Sequence, residues 1–194
     1  MKTMNPEINI RVATLEDAEK ILEIYGYYIE NTAITYEYEI PTLEEFKSRM
    51  IRIKEILPYL VAEKDGEIVG YAYADKFNYR PAYDWNAELT IYLDHNQKGK
   101  GIGEALYSRL EEILKKQGIV KTIALITPPQ GGKSDAYNSM HFHEKMGYKL
   151  IGCIEKAGYK FNHWFDTILM DKYIGEPADN MKPIVKFKDL EINL

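Results

Sequence analysis

The spacing of apolar residues along the chain alternates between the period of a strand and that of a helix. Short alternating or continuous apolar runs predict seven strands, over residues 8–12, 59–62, 68–74, 87–93, 119–126, 148–155 and 164–170. Apolar positions that recur every three to four residues predict four helices, over residues 14–29, 42–55, 102–116 and 139–146. The order βααβββαβαββ indicates an α/β fold with a mixed sheet.

A chain of 194 residues is long enough for one globular domain with a sizeable core. We place this domain at residues 1–174 and treat residues 175–194, which contain prolines, as a C-terminal tail. Such a tail either docks on a partner subunit or is disordered.

Composition excludes several classes of protein. The net charge is −5 and the lysines are scattered, so no nucleic-acid partner is expected. Apolar runs are too short to span a bilayer and no apolar segment follows the N-terminus, which predicts a cytoplasmic protein without a membrane partner. The single cysteine, Cys153, rules out an internal disulfide, and its position in a strand predicts an inert core thiol.

A glycine-spaced loop stands between the fourth predicted strand and the third helix. Gly99, Gly101 and Gly103 leave the backbone open to a phosphate, and Lys98 and Lys100 add positive charge. The first amides of the following helix have no partner inside it, and the helix dipole favours an anion there. The loop therefore predicts a cofactor that carries phosphate groups.

Two common nucleotide-binding loops do not fit this segment. A dinucleotide-binding fold needs an acidic residue about 20 positions later, where this chain has Lys121 and Thr122. A P-loop needs Gly-Lys followed by Ser or Thr, and Gly101 occupies that place.

The order of elements and the segment QKGKGIG resemble the GNAT superfamily of acetyl-CoA-dependent N-acetyltransferases. The family loop begins with Gln or Arg where this chain has Lys98. The resemblance is closer to the phosphinothricin and methionine sulfoximine/sulfone acetyltransferases, through the segments ENTAITYEYE, PYLVAEKDGEIVGYAYA, RPAYDWNAELTIYLD, HEKMGY and GYKFNHWFD. It implies a mostly antiparallel central sheet flanked by helices, and a homodimer with GYKFNHWFD near the interface.

The resemblance also implies where acetyl-CoA binds. Backbone groups of Ile91, Tyr92 and Leu93 would pair with the pantetheine arm as an added strand does. The amides of the loop would hold the pyrophosphate; this set comprises Lys98, Gly99, Lys100, Gly101, Ile102 and Gly103. Asn138 and Ser139, at the start of the fourth helix, would contact the CoA arm. No metal site is visible in the sequence, and none is implied.

Catalysis requires removal of a proton from the acceptor ammonium, and Glu88 matches the family's glutamate in AYDW-x-x-E. Strand alternation places Glu88, Thr90 and Tyr92 on one face of the sheet. It places Leu89, Ile91 and Leu93 on the other face. A partly buried carboxylate has a raised pKa, which suits a general base. His143 stands near the position of the family's tyrosine acid, and it either protonates the leaving thiolate or packs structurally.

The acceptor side is predicted from acidic, basic and aromatic residues. Glu37 and Glu39 lie in the loop between the first two helices, which in the family forms a wall of the amine pocket. One of them, with Glu39 preferred, would hold the substrate ammonium or relay its proton, and the other is a solvated loop charge. Arg80 would bind a carboxylate in bidentate fashion, beside Tyr83 and Trp85 as pocket aromatics. The expected substrate is a small-molecule amine, namely an amino acid or analogue. A peptide or antibiotic amine, and a non-catalytic acetyl-CoA-binding regulatory domain, stay open as alternatives.

Overall fold

The computed structural model describes residues 8–97, 100–128 and 134–192, without the side chains of residues 134–138. The elements follow the predicted order, and their bounds are β1 (Asn9–Val12), α1 (Ala18–Asn31), α2 (Leu43–Lys54), β2 (Tyr59–Lys64), β3 (Glu67–Lys76), β4 (Asn86–Leu93), α3 (Ile102–Gln117), β5 (Lys121–Ile126), α4 (Ser134–Lys145), β6 (Lys149–Lys160) and β7 (His163–Tyr173). Short 3-10 turns occupy Pro81–Tyr83 and Phe187–Asp189. The predicted α/β fold is confirmed.

One seven-stranded sheet in the order β1-β2-β3-β4-β5-β7-β6 forms the centre of the molecule. All neighbouring strands are antiparallel except β4 and β5, which are parallel. Turn residues support the hairpins: Asp65 and Gly66 between β2 and β3, and Phe161 and Asn162 between β6 and β7, all have positive φ.

The sheet buries apolar side chains on both faces. On one face Leu106, Leu110 and Leu114 of α3 pack against the sheet. On the other, α1 and α2 cover a tyrosine-rich layer that includes Tyr59, Tyr71 and Tyr92. The predicted alternation along β4 is confirmed, because Leu89 and Ile91 pack on the α3 side while Tyr92 belongs to the tyrosine layer.

The pairing of β4 with β5 is short. It covers only Asn86 to Glu88, opposite Lys121 to Ile123. β4 nevertheless stays paired with β3 as far as Leu93. From Leu89 onward the backbone of β4 is therefore open on its β5 side, in the middle of the sheet.

The hairpin of β6 and β7 is longer than the sequence pattern predicts. β6 is an edge strand, and most of its side chains are exposed. Cys153 lies on this strand and is exposed, so the prediction of a core thiol is wrong. A place in a predicted strand indicates burial, but no layer covers this part of the edge strand within the described chain.

The C-terminal tail packs on the chain's own domain. Phe187 is buried in the α3-side core, and its backbone amide donates to the Ile56 carbonyl at 2.9 Å. The Gln117 side chain donates to the Val185 carbonyl at 2.7 Å. The structure therefore gives the tail a place on its own subunit, which is neither of the two arrangements expected from sequence.

Within the ranges given above, no helix is both long and apolar enough to cross a bilayer. The same residues contain no cluster of three or more His, Cys, Asp or Glu side chains arranged to hold a metal ion.

Candidate active site

A cavity of about 310 Å³ opens where β4 and β5 separate. Residues 88–92 of β4 and 124–127 at the end of β5 form its floor, and residues 34–36 between α1 and α2 form one wall. Tyr107 of α3 and Ser139 and His143 of α4 close the opposite side. Most of the predicted catalytic and strand residues thus meet at one place.

Glu88 lines this cavity, and the pKa of its carboxyl group is raised. Burial, and then the nearby Asp75 carboxylate, raise the pKa of Glu88 to about 7. Asp75 stands directly opposite Glu88 in the β3–β4 register. A carboxyl group with this pKa is about half ionised at neutral pH, which is the property that a general base needs.

A hydrogen-bonded chain runs from α4 to α3 beside the cavity. Nδ1 of His143 lies 2.7 Å from the Ser139 carbonyl, which can only accept, so this nitrogen carries the proton. Nε2 of His143 then accepts from the Tyr107 hydroxyl, 2.9 Å away. Burial lowers the pKa of His143, so the ring is neutral. Both ring nitrogens are therefore engaged, and the side chain that His143 orients is Tyr107.

The glycine loop leads directly into α3. Gly101 has φ +79° and stands at the N-cap, a conformation that L side chains rarely adopt. A Cβ at Gly103 would lie 3.3 Å from the Phe142 ring and 3.4 Å from Ile91 Cδ1, so this glycine allows α3 to approach β4 and α4 closely. Lys100 Nζ donates to Gln97 Oε1 at 2.8 Å. Lys98, Gly99 and the Asn138 side chain lie outside the described residues.

A second cavity, of about 260 Å³, lies under α2 and shares Tyr25 and Tyr73 with the first. Glu37 lines it and accepts hydrogen bonds from Arg49 Nη1 at 2.6 Å and from the Tyr25 hydroxyl at 3.1 Å. Glu39, the preferred residue of the predicted pair, is exposed and lines neither cavity.

Three predicted acceptor residues lie in the segment just before β4 and line neither cavity. Arg80 is exposed at the entry to the 3-10 turn, and Tyr83 packs edge-on against Phe77. The Trp85 indole donates to the Lys182 carbonyl of the tail at 2.9 Å. Their roles in binding the acceptor stay predictions.

The open strand β4, the partly buried Glu88 and the glycine loop before α3 together point to a known family. The family model described as acetyltransferase (GNAT) domain matches residues 10–169. The chain belongs to the GNAT family. It is an N-acetyltransferase, as its relatives also indicate.

Similar proteins align over nearly the whole GNAT chain. The phosphinothricin N-acetyltransferase of Streptomyces viridochromogenes is 34% identical over 178 residues, which cover 90% of this chain and 94% of that protein. An L-methionine sulfoximine/L-methionine sulfone acetyltransferase of Pseudomonas aeruginosa is 31% identical over 167 residues, covering 84% and 92%. A phosphinothricin acetyltransferase of Sinorhizobium meliloti, solved in complex with AcCoA, superposes with a TM-score of 0.82 at 33% identity, covering 93% and 98%. The predicted family and branch are confirmed.

Sequence reasoning missed several side chains of this GNAT site. Tyr107 lies on the apolar face of α3 and its sequence position predicts core packing, which the structure also shows. Thr35 and Tyr36 belong to an irregular segment with no periodicity. The signal for Tyr36 is the ENTAITYEYE segment itself, in which Tyr36 and Tyr38 alternate with Glu37 and Glu39.

Proposed function

We propose that this acetyltransferase transfers the acetyl group of acetyl-CoA to the primary amine of a small amino acid or analogue, of the phosphinothricin or methionine sulfoximine/sulfone type. The observation that carries the proposal is Glu88, a carboxyl group with a pKa of about 7 in the cavity where β4 and β5 separate. The names of the similar proteins support the class of acceptor.

The described residues suit acetyl-CoA as the co-substrate. The open side of β4 at Ile91 and Tyr92 offers backbone groups to a strand-like pantetheine arm. The first amides of α3, after the left-handed Gly101, have no acceptor within the helix and favour an anionic pyrophosphate. When bound there, acetyl-CoA supplies a thioester carbon to a nucleophile.

Glu88 prepares that nucleophile. A free α-amino group has a pKa of roughly 7.7–8.0, so much of it is protonated at neutral pH. The Glu88 carboxylate takes this proton, directly or through one water molecule, and holds it as the carboxylic acid while the neutral amine attacks. The C–N bond would form as the thioester C–S bond breaks, and the second amine proton would leave with the sulfur as the CoA thiol. An amide on the open side of β4 stabilises the developing oxyanion.

Tyr107 and His143 assist at the other end of the reaction. In this structure the Tyr107 hydroxyl donates its one O–H to His143 Nε2, and His143 is itself held by the Ser139 carbonyl. As the thioester C–S bond breaks, this O–H would turn from His143 to the departing CoA sulfur. Because burial raises the pKa of Tyr107 well above its usual value, the hydroxyl keeps its proton and donates it to one acceptor at a time.

The test is CoA release from acetyl-CoA with a panel of amines. We expect turnover with methionine sulfone, methionine sulfoximine or phosphinothricin at a higher kcat/KM than with spermidine, an aminoglycoside or a short peptide. Turnover only with the polycations or the peptide would contradict the proposed acceptor. Acetyl-CoA binding without turnover of any amine would favour a regulatory domain.

Direct transfer in a ternary complex is the second part of the proposal. Both substrates would be bound at once beside Glu88, and no acetylated enzyme would form. Initial rates measured while both concentrations vary should therefore give intersecting double-reciprocal lines. Parallel lines, the pattern of a covalent acetyl-enzyme, would contradict direct transfer.

We also propose that the enzyme is a homodimer that pairs through the β6–β7 hairpin. Large apolar side chains are exposed there, among them Leu150, Ile151, Ile154 and Trp164, each more than half exposed. Sedimentation should give a species of about 45 kDa, twice the 22.6 kDa of the chain. A single 22.6 kDa species at micromolar concentration would contradict the dimer.

A further inference from the structure

The segment between α1 and α2 is held in place by the β6–β7 hairpin. We define residues 32–38 of this segment as the acceptor wall, since Ile34, Thr35 and Tyr36 line the cavity that contains Glu88. The wall has no helix or strand of its own. Its position must therefore come from contacts with other elements.

Lys160, the last residue of β6, provides the first of these contacts. Its side chain is buried, and Nζ donates to the carbonyls of Ile29, Thr32 and Thr35 at 2.7, 2.8 and 2.9 Å. An ammonium group has three N–H donors, and here each has one backbone acceptor. Two of these carbonyls belong to the C-terminal end of α1, where the helix dipole favours a cation.

The third carbonyl connects Lys160 to the cavity. Thr35 gives its carbonyl to Lys160, and its hydroxyl lies 2.8 Å from the Tyr25 hydroxyl. Tyr25 in turn donates to Glu37 at 3.1 Å. Lys160 thus fixes the backbone of Thr35, the residue whose hydroxyl begins the hydrogen-bonded row through Tyr25 to Glu37.

Tyr36 provides the second contact. Its hydroxyl donates to the Asp166 carbonyl at 3.2 Å and lies 3.1 Å from Thr167 Oγ1, both on β7. Its ring packs directly on Gly158 of β6, where an added Cβ would lie 2.5 Å from two ring carbons. Tyr38 donates to the Tyr159 carbonyl beside it. The hairpin therefore receives the tyrosine ring in a space that only glycine leaves open.

We propose that Lys160 and Gly158 are positioning residues for the acceptor amine, acting through the acceptor wall and touching neither substrate. The inference rests on the proposed acetyl transfer to a small amine at Glu88. Disturbing either residue moves Thr35 and Tyr36 relative to Glu88, and leaves the glycine loop and the open edge of β4 unchanged. The defect should therefore fall on the amine and spare acetyl-CoA.

Two glycines of β6 give a matched pair of variants. Gly158→Ala places a methyl group against the Tyr36 ring, whereas Gly152→Ala places one where no atom of the same subunit lies within 4 Å. Sedimentation of both variants shows whether either change alters the proposed dimer. Neither glycine has a positive φ, so alanine fits the backbone at both positions. We expect Gly158→Ala to lower kcat/KM for the amine about tenfold or more, and Gly152→Ala to change it less than about twofold. The dissociation constant of acetyl-CoA should change less than about twofold in both variants.

Lys160→Met removes the ammonium and keeps the length of the side chain. Hydrogen exchange followed by mass spectrometry should show faster exchange of the amides of residues 32–38, with the central strands unchanged. Lys149→Met, at the exposed start of the same strand, is the control and should leave exchange in the wall as in the wild type. If Lys160→Met does not fold, the Gly158→Ala and Gly152→Ala comparison decides the question alone.

The proposal is overturned if folded Gly158→Ala retains kcat/KM for the amine within about twofold of Gly152→Ala, or if acetyl-CoA affinity falls in parallel with it. Failure of the proposed function gives a different result. In that case the wild-type enzyme acetylates none of the small amines, while exchange in residues 32–38 still reports whether Lys160 and Gly158 hold the wall.

Discussion

Replacing Glu88 with glutamine should stabilise the protein at alkaline pH and remove most of its activity. The pKa of Glu88 in the folded chain is about 7, against an ordinary value of 4.5. Below pH 4.5 the carboxyl group is protonated in both the folded and the unfolded state, so it does not lower the free energy of unfolding. Between pH 4.5 and 7 the folded state loses about 3 kcal/mol of stability, at ~1.36 kcal/mol per pH unit, because the carboxyl group ionises in the unfolded state and stays protonated when it is buried; above pH 7 the loss stays constant.

Glutamine has nearly the same shape and carries no charge, so it avoids this cost. Urea denaturation should show Glu88→Gln to be more stable than wild type by about 3 kcal/mol at pH 8 and by less than about 1 kcal/mol at pH 5. The exposed Glu30→Gln is the matched control and should change stability by less than about 0.5 kcal/mol at both pH values.

Loss of the base should lower kcat by about 10²- to 10⁴-fold in the CoA-release assay. Two results would refute the raised pKa of the buried Glu88 carboxyl. One is a Glu88→Gln variant that is less stable than wild type at pH 8, and the other is a variant that is equally stabilised at pH 5 and pH 8. A variant with undiminished kcat would refute the assignment of Glu88 as the base.

Three further predictions concern the pH profile, Tyr107 and the C-terminal tail. The acidic limb of the pH profile of kcat/KM should show an apparent pKa of about 7, because Glu88 must be ionised to accept a proton; a limb near 4.5, the ordinary value, would disagree. Tyr107→Phe should lower kcat by roughly 10- to 100-fold with little change in KM for acetyl-CoA, and an unchanged kcat would exclude the hydroxyl from thiolate stabilisation. Phe187→Ala should cost about 3 kcal/mol in urea unfolding, whereas the exposed Val185→Ala should cost less than about 0.5 kcal/mol. Equal stabilities of these two variants would show that the tail does not pack on the α3 side.

Most of the fold could be predicted because local patterns and packing agree. Alternation along β4 assigns Glu88 and Tyr92 to one face and Leu89 to the other, and both layers of helices are present in the structure to receive them. Gly101 precedes a helix in a conformation that suits glycine, so its role could be inferred from the sequence and matches the structure.

Other features depend on contacts between segments distant in the chain. Lys160 has the sequence pattern of a charged strand residue, and it is buried only because the carbonyls of Ile29, Thr32 and Thr35 meet its ammonium group. The position of Cys153 in a strand predicts a core thiol, but a strand pattern cannot show that β6 is an uncovered edge.

The tail and Tyr107 show two different limits of prediction from sequence. Ile184, Phe187 and Leu190 recur at an interval of three residues, a signal that could have predicted an apolar contact for the tail. Tyr107 carried no such signal, because its hydroxyl acquires a partner only when α4 brings His143 beside α3.

The most direct test of this account is the titration of Glu88 itself. Carbon-13 NMR of side-chain-labelled glutamate, compared between wild type and Glu88→Gln, isolates the resonance of this one carboxyl group. We predict that it titrates with a pKa of about 7 in the enzyme without substrates. A midpoint near 4.5, the ordinary value for glutamate, would contradict the central claim that the fold holds Glu88 as a base for the acceptor amine.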